Sequence, residues 1–328
     1  MMAPGRSMES ILRIGQTLRG RASRYSVIKE LYRAADQGAV YLATNDEGKK
    51  SVLKSVKGHW RLQNEVNILK KYQARTPFLR PLEDEIEDPE DPPTIVLKHL
   101  DSDLRTESKR KTLSRPEIKQ VGKIILEVLH TLHQDGMVHT DIKLDNIFVN
   151  LGEPPEQRFA NILIGDCGGV VHKDSKFARD GHLISSSIAR SPEAGFQLPL
   201  LFGDDYYIFN PANDGIKFED PEHDIGVLIR MYQFFGPFPD SYRGIANENA
   251  LAAIDFLHSE GPPTKPFHLV TSREMPLADK NFILKVMKLD PRDRPTAEQL
   301  LKDEWFTEES GDTRVPSCSQ ESNPEERG

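Results

Sequence analysis

Short segments with alternating apolar and polar residues dominate the first hundred residues of the chain. Residues 40–43 and 51–54 have the composition of β-strands, and residues 45–48 between them have that of a hairpin turn. Residues 94–97 form a third run of this kind. The acidic, proline-rich segment 83–93 is expected to be a solvated loop. The pattern therefore predicts a front part that is rich in strands.

Behind the first strands, and over most of the rear of the chain, the apolar residues recur at intervals of three and four. Residues 61–72 show this helical spacing. A longer helix is predicted to begin at a capping box formed by Ser114 and Glu117 and to end before Gly136. Two further short helices are expected over residues 279–289 and 296–303. A β-rich front followed by a helical rear predicts an α+β protein with two lobes.

The two ends of the chain lack a clear pattern. Residues 1–22 are predicted to be a flexible lead-in, and residues 307–328, rich in Glu, Ser, Pro and Gly, a disordered tail. Residues 23–306 are then one domain, with a first lobe over about 23–100 and a second over about 101–306.

Composition narrows the class of protein. The chain has 328 residues and a formal net charge of −8, which argues against a general nucleic-acid binder. No stretch has the ~18–20 apolar residues of a membrane span, and no apolar core of a signal peptide follows the start. The two cysteines, Cys167 and Cys318, are too few for a disulfide framework. We therefore expect an intracellular protein of the cytoplasm or nucleus, with no nucleic-acid or membrane partner.

Two polar loops, each next to an apolar strand, carry the strongest chemical signal. The segment from His139 to Asn146 follows the long predicted helix and includes Asp141 and Lys143. Twenty residues after Asn146, Asp166 follows another apolar run and precedes Cys167 and a glycine. This set of residue types suits phosphoryl transfer.

Each residue type has a reason to be present in such a site. Asp141 would accept the proton of the attacked hydroxyl group, and Lys143 would offset the charge of the transferred phosphoryl group. Asn146 and Asp166 would hold Mg²⁺ against the phosphates.

The motifs resemble those of the eukaryotic protein kinases, and the resemblance spans about residues 25–306. The run from His139 to Lys143, with Thr140 where most members have arginine, is similar to the kinases of serine/arginine-rich proteins. The chain as a whole also resembles compact fungal kinase-like proteins. The resemblance implies a protein-kinase-like fold of two lobes, ATP and Mg²⁺ as cofactors, and phosphorylation of Ser or Thr on a protein substrate.

Further site residues are implied by this resemblance. Lys54 matches the strand lysine that holds the α- and β-phosphates, and Glu65 matches the helix glutamate that pairs with it. Leu97 falls at the gatekeeper position. The expected nucleotide contacts come from Leu31, Gly38, Val40, Lys54, Leu97, His99 and Leu100.

The phosphate-binding loop departs from the family pattern. Its three glycine positions hold Arg33, Ala35 and Gly38, so that one glycine is kept. Glycine allows backbone N–H groups to approach phosphate closely. We therefore expect weakened binding of ATP.

The segment after Glu193 departs further. Residues 191–193 match the end of the kinase activation segment, and Arg294 matches the arginine that pairs with its glutamate. The family continues with a long buried helix, whereas residues 194–205 are short and interrupted by Pro199 and Gly203. We expect this central helix of the second lobe to be truncated.

Two alternative functions follow from these departures. A pseudokinase scaffold, which binds nucleotide or partners without efficient transfer, is favoured by the poor glycine loop and the lost helix. The complete set of Lys54, Glu65, Asp141, Asn146 and Asp166 opposes it. A small-molecule phosphotransferase is opposed by residues 191–193 and Arg294, which belong to an activation segment for protein substrates.

The threonine at position 140 leads to a prediction about how the activity is regulated. The arginine that usually stands there contacts a phosphorylated activation segment, so we expect activity to be independent of phosphate on Ser185 to Ser187. Phosphatase treatment should leave the rate of phosphoryl transfer unchanged. Complete loss of that rate would contradict the expectation.

Overall fold

The structure is a computed structural model that describes residues 12–33, 38–58, 60–153, 157–180, 208–246 and 248–308. The chain divides into two compact units. The first comprises Met1–Tyr207 with Thr296–Leu301, and the second Ile208–Pro295 with Lys302–Gly328. The lobe boundary predicted near residue 100 thus lies inside the first unit.

A closed antiparallel barrel of six strands forms the front of the first unit, in the order β1-β2-β3-β4-β6-β5. The predicted strands at 40–43, 51–54 and 94–97 are confirmed as parts of β3, β4 and β6. The strands are β1 Thr17–Gly20, β2 Arg24–Arg33, β3 Gly38–Asn45, β4 Lys50–Val56, β5 Leu82–Asp88 and β6 Thr94–Lys98.

The barrel core shows why residues 12–22 differ from the flexible lead-in that was expected. Leu12 and Leu18 are almost fully buried and pack with Tyr41, Leu53 and Val96 inside the barrel. Strand β1 also pairs with both β2 and β5 and so closes the barrel. The weak sequence pattern of residues 12–22 gave no sign that Leu12 and Leu18 pack inside the barrel.

The acidic segment 83–93 was expected to be a loop, and this is wrong for its first half, which forms β5 through Asp88. Basic side chains neutralise its carboxylates. Glu83 pairs with Lys49 at 2.6 Å, and Glu85 pairs with Arg21 at 2.9 Å. The repulsion that would disfavour an acidic strand is thereby removed.

Helices and two small sheets complete the first unit. Helix α3, Arg115–His133, begins at the predicted capping box, in which the Ser114 N–H donates to Glu117 Oε2 at 2.6 Å. The short helix α8, Ala297–Leu301, packs against α3. The helices are α1 Trp60–Tyr72, α2 Leu104–Arg110, α3 Arg115–His133, α4 Lys176–Arg179 and α8 Ala297–Leu301. The small sheets pair β7 Ser102–Asp103 and β10 Phe159–Ile164 with β9 Ile147–Leu151, and β8 Met137–Val138 with β11 Val171–His172.

The second unit is helical, with α5 His223–Phe235, α6 Glu248–Ser259 and α7 Leu277–Val286. Aromatic residues dominate its core. Tyr232 and Phe238 pack with Ile254 and Leu257, while Trp305 stacks on Phe282 with ring centroids 4.3 Å apart. In the part of the chain that the structure describes, no helix is long and apolar enough to cross a membrane.

The element pattern confirms the α+β class predicted from the sequence. Both short rear helices are present, within a few residues of the predicted bounds. Several predictions lie outside the described residues: Ala35 in the glycine loop, the serines 185–187, the motif 191–193, the shortened segment 194–205 and the tail beyond residue 308.

One buried carboxylate joins the start of the barrel to β5. Asp84 accepts from the backbone N–H groups of Arg21 at 3.1 Å and Ala22 at 2.9 Å, and from the Tyr25 hydroxyl at 3.0 Å. Burial together with the Asp84 charge raises the pKa of Tyr25, which keeps the phenol protonated as a donor.

We predict that Asp84→Ala lowers the free energy of unfolding by about 2–4 kcal/mol, because the buried Tyr25 hydroxyl and three partly buried backbone N–H groups lose their acceptor. Urea denaturation followed by near-ultraviolet circular dichroism measures the change. As a control, Glu87→Ala removes two exposed ion pairs of the same strand, with Arg19 and Arg21, and should change stability by less than about 0.5 kcal/mol. Equal effects of the two substitutions would contradict the prediction.

Candidate active site

The hairpin of β9 and β10 brings the two polar loops together. Asn146 directly precedes β9, and Asp166 follows β10 by two residues. Ile147 pairs with Ile164, and the Gly165 N–H donates to the Asn146 carbonyl at 2.9 Å. Antiparallel pairing therefore places the two predicted magnesium ligands at the same end of one hairpin.

Asp141 is held by its neighbours in the same loop. The Asn146 side-chain amide donates to the Asp141 carbonyl at 2.8 Å and to its Oδ2 at 3.0 Å. The Lys143 ammonium lies 3.0 Å from the same Oδ2. Asp141 and Lys143 keep partial solvent exposure, so the carboxylate remains accessible to a hydroxyl group that carries a proton.

Lys54 bridges two carboxylates from different parts of the first unit. Its ammonium lies 2.7 Å from Glu65 Oε2 and 2.7 Å from Asp166 Oδ1. Burial alone would lower the pKa of Lys54, but the charges of Glu65 and Asp166 outweigh burial and raise it. For Asp166 burial acts in the opposite direction, and the charge of Lys54 outweighs it and lowers the pKa of the carboxyl. Lys54 and Asp166 are therefore both charged near neutral pH.

The donor set of Asn146 and Asp166 fits a magnesium ion. The Asn146 amide nitrogen is directed to Asp141, so the carbonyl oxygen of the side chain is left as a potential ligand. Asp166 is the one non-glycine residue with positive φ among the described residues, at φ +57°. That left-handed conformation costs about 1 kcal/mol and turns the chain sharply after β10. The described residues contain no cluster of three or more His, Cys, Asp or Glu side chains that could hold a metal on its own.

The predicted nucleotide-side residues lie along the barrel and on the segment that follows it. Val40 pairs with Lys54 across β3 and β4, and Leu97 is buried in β6 opposite Val52. Leu100 is buried, and burial lowers the pKa of His99, which favours its neutral form. Leu31 on β2 keeps 47% of its surface exposed. Of this set, the barrel thus brings Val40 directly beside Lys54.

Arg33, which occupies the first glycine position, forms an ion pair with Glu30 of the same strand. Its guanidinium donates from Nε to Glu30 Oε1 at 2.9 Å, and a second nitrogen pairs with the other carboxylate oxygen. The substitution therefore adds a side chain that is already paired.

Two buried basic side chains, His139 and Arg80, complete the site, although no sequence pattern predicted a role for either. His139 is 1% exposed, its Nδ1 accepts from the Asp141 N–H at 3.4 Å, and its Nε2 is buried without a partner. Burial lowers the pKa of His139, so the ring is neutral.

Arg80 donates to the Lys98 carbonyl at 2.8 Å and lies over the Phe148 ring at 4.3 Å. Burial lowers the pKa of Arg80 to about 10. An arginine within the apolar run 78–82 was the one available signal for this residue.

Comparison with known proteins agrees with this geometry. The family model of the protein kinase domain matches residues 35–177, which include Lys54, Glu65, the segment from His139 to Asn146, and Asp166. The resemblance to the eukaryotic serine/threonine protein kinases and the kinase-like α+β fold are thereby confirmed.

Relatives in other organisms are similar at low identity. The chain is 26% identical over 194 residues to serine/threonine-protein kinase shk1/pak1 of Schizosaccharomyces pombe, with 58% of this chain and 24% of that protein covered. It is 25% identical over 211 residues to human serine/threonine-protein kinase PAK 4, with 63% and 30% covered. It is also 22% identical over 215 residues to mouse inactive serine/threonine-protein kinase PLK5, with 66% and 30% covered. The chain thus spans less than a third of the length of these relatives.

The buried His139 predicts a pH dependence of stability. Its pKa in the folded chain lies below the unfolded value of 6.5, so below about pH 6.5 the unfolded chain binds a proton that the folded chain excludes. The free energy of unfolding should fall as the pH is lowered from 7.5 to 5.5, by up to about 1.4 kcal/mol per pH unit from this group.

Urea denaturation at several pH values measures this slope. His139→Gln should flatten the slope, whereas His268→Gln, at an exposed position, should leave it unchanged. A slope in His139→Gln equal to that of the unmodified protein would contradict the prediction.

Proposed function

We propose that this protein transfers the γ-phosphoryl group of ATP to serine or threonine hydroxyls of a protein substrate. The observation that carries the proposal is the position of Lys54, whose ammonium lies 2.7 Å from both Glu65 and Asp166. The comparisons support protein phosphorylation as the broader function, since the protein kinase domain model matches this region.

Lys54 would contact the α- and β-phosphates of ATP. Its charge is stabilised by two carboxylates, so it presents a full positive charge to an anionic ligand. Leu31, Gly38 and Val40 would cover the nucleotide from the barrel, while Leu97, His99 and Leu100 would face the adenine ring. Arg33 and Ala35 in the glycine positions should lower the affinity for ATP.

Asn146 and Asp166 would hold Mg²⁺ through one amide oxygen and one carboxylate. When bound, the ion supplies charge neutralisation for the phosphate oxygens. Because the pKa of Asp166 is lowered, its carboxylate is available as an anionic ligand at neutral pH.

Asp141 would orient the substrate hydroxyl group and accept its proton. Asn146 fixes the carboxylate through Oδ2, and this contact orients the group before the substrate binds. Lys143, 3.0 Å from the same oxygen, would offset negative charge on the transferred phosphoryl group.

A pseudokinase scaffold is the second candidate function. It is favoured by Arg33, which occupies the first glycine position of the phosphate-binding loop and forms an ion pair with Glu30. One of the similar proteins also carries the description inactive. On this alternative the chain would bind nucleotide or a partner without efficient transfer.

An intracellular location stays an expectation from the cysteine content.

We predict Mg²⁺-dependent transfer of phosphate from ATP to a mixed set of serine- and threonine-containing peptides. Asp141→Asn should lower kcat by at least about a hundredfold, because the hydroxyl loses its proton acceptor. Asp166→Ala should cause a similar loss, because it removes a magnesium ligand and a partner of Lys54. Incorporation of radiolabelled phosphate measures the rate.

The matched control is Asp174→Asn, which removes a carboxylate that is largely exposed and should leave the rate unchanged. If the unmodified protein binds ATP but transfers no phosphate, the kinase proposal is wrong and the scaffold alternative stands.

A further inference from the structure

Helix α1 carries Glu65, so the pairing of Glu65 with Lys54 depends on the rotation of this helix about its axis. Strand β4 ends at Val56 and α1 begins at Trp60, so a connection of three residues joins them. Rotating the helix by one residue, about 100°, would turn Glu65 away from Lys54. Contacts along the surface of α1 therefore bear directly on this ion pair.

The first such contact is made by Asn64, the residue directly before Glu65. Its side-chain amide donates to the Gly168 carbonyl at 3.0 Å and to the Val170 carbonyl at 2.8 Å. Both hydrogens of one amide group are thus used on the chain that follows Asp166. This pair of bonds fixes the rotation of α1 about its axis one residue away from Glu65.

The second contact is an aromatic stack at the first residue of the helix. Trp60 stacks on Phe177 of α4, with ring centroids 5.2 Å apart and an interplanar angle of 17°. Trp60 remains 43% exposed and Phe177 38% exposed. Such a pair contributes about 0.5–1.5 kcal/mol beyond the area that it buries.

The chain against which α1 rests is itself anchored. The Thr140 hydroxyl donates to the Gly169 carbonyl at 2.8 Å. Strand β11 pairs with β8, which directly precedes His139. A side chain at residue 168 would press on the Arg61 backbone, since a Cβ atom there would lie 3.1 Å from its carbonyl oxygen. Glycine at 168 therefore permits the close approach between this segment and α1.

We propose that Asn64 and Trp60 are positioning residues for the Lys54–Glu65 ion pair. They join α1 to residues 168–177, so that the helix is held in register with the catalytic lysine by contacts that contain no phosphate group. The inference rests on the proposed kinase function for its effect on catalysis, but the contacts exist without it. Neither residue touches the reacting atoms.

The test uses Asn64→Asp, which keeps the shape of the side chain and places a carboxylate against two carbonyl oxygens. The matched control is Gln63→Glu, which makes the same amide-to-acid change one residue earlier, where the side chain is exposed and bonds to Asn67 within the helix. Phe177→Ala removes the aromatic stack at a position that is far from the core. Thermal unfolding confirms that each variant is folded.

The first readout is quenching of tryptophan fluorescence by acrylamide in the 328-residue chain. The chain has two tryptophans, and Trp305 is 3% exposed, so the quencher reports mainly on Trp60. Asn64→Asp and Phe177→Ala should both increase the quenching of Trp60, whereas Gln63→Glu should not. This readout requires no catalytic activity.

The second readout is the KM for ATP, with the dissociation constant of ATP in its place if the unmodified protein transfers no phosphate. Asn64→Asp should raise this constant and lower kcat/KM by at least about tenfold, since Lys54 loses its fixed position. A variant that is merely destabilised would lower kcat through loss of folded protein and would leave KM unchanged.

Two outcomes would overturn the inference. In the first, Asn64→Asp matches Gln63→Glu in both quenching and affinity for ATP. In the second, Trp60 becomes more accessible but the affinity for ATP stays the same, so that the contacts do not position Lys54. Absence of transfer by the unmodified protein contradicts only the proposed kinase function, because both readouts still report on the contacts.

Discussion

The ion pairs of Lys54 with Glu65 and Asp166 connect the three parts of the site. Lys54 belongs to the barrel, Glu65 to α1 and Asp166 to the turn after β10. An ammonium group that is largely removed from water is unfavourable unless carboxylates lie beside it, and Glu65 and Asp166 both do so for this lysine. Each of the three elements is therefore constrained by the charge of one side chain.

The backbone around Asp166 allows the β9–β10 hairpin and helix α1 to lie close to one another. The β9–β10 hairpin brings Asn146 next to Gly165, and Asp166 then turns the chain with a left-handed conformation. The glycines that follow allow contact with α1 and with Thr140. The left-handed backbone conformation of Asp166 persists because the hairpin, the helix and the ion pair all fix the same geometry.

Much of the fold and part of the site could be predicted from local patterns. The strands at 40–43, 51–54 and 94–97 and the capping box at Ser114 are local signals, and the structure confirms them. The lead-in and the acidic strand β5 could not be predicted in this way. Leu18 is buried because the barrel closes over it, and β5 forms because it pairs with β1 and β6, with Lys49, Arg21 and Lys70 beside its carboxylates.

The sequence by itself determined which chemical groups are available: a lysine on a strand, a glutamate on a helix, and the carboxylates and amide of two loops. Only the tertiary structure decided which of them meet. Lys54 and Asp166 are 112 residues apart in sequence, and Asn64 finds its partners more than 100 residues away. Hydrophobic periodicity is a local property that specifies elements, whereas ion pairs and side-chain hydrogen bonds depend on how those elements pack.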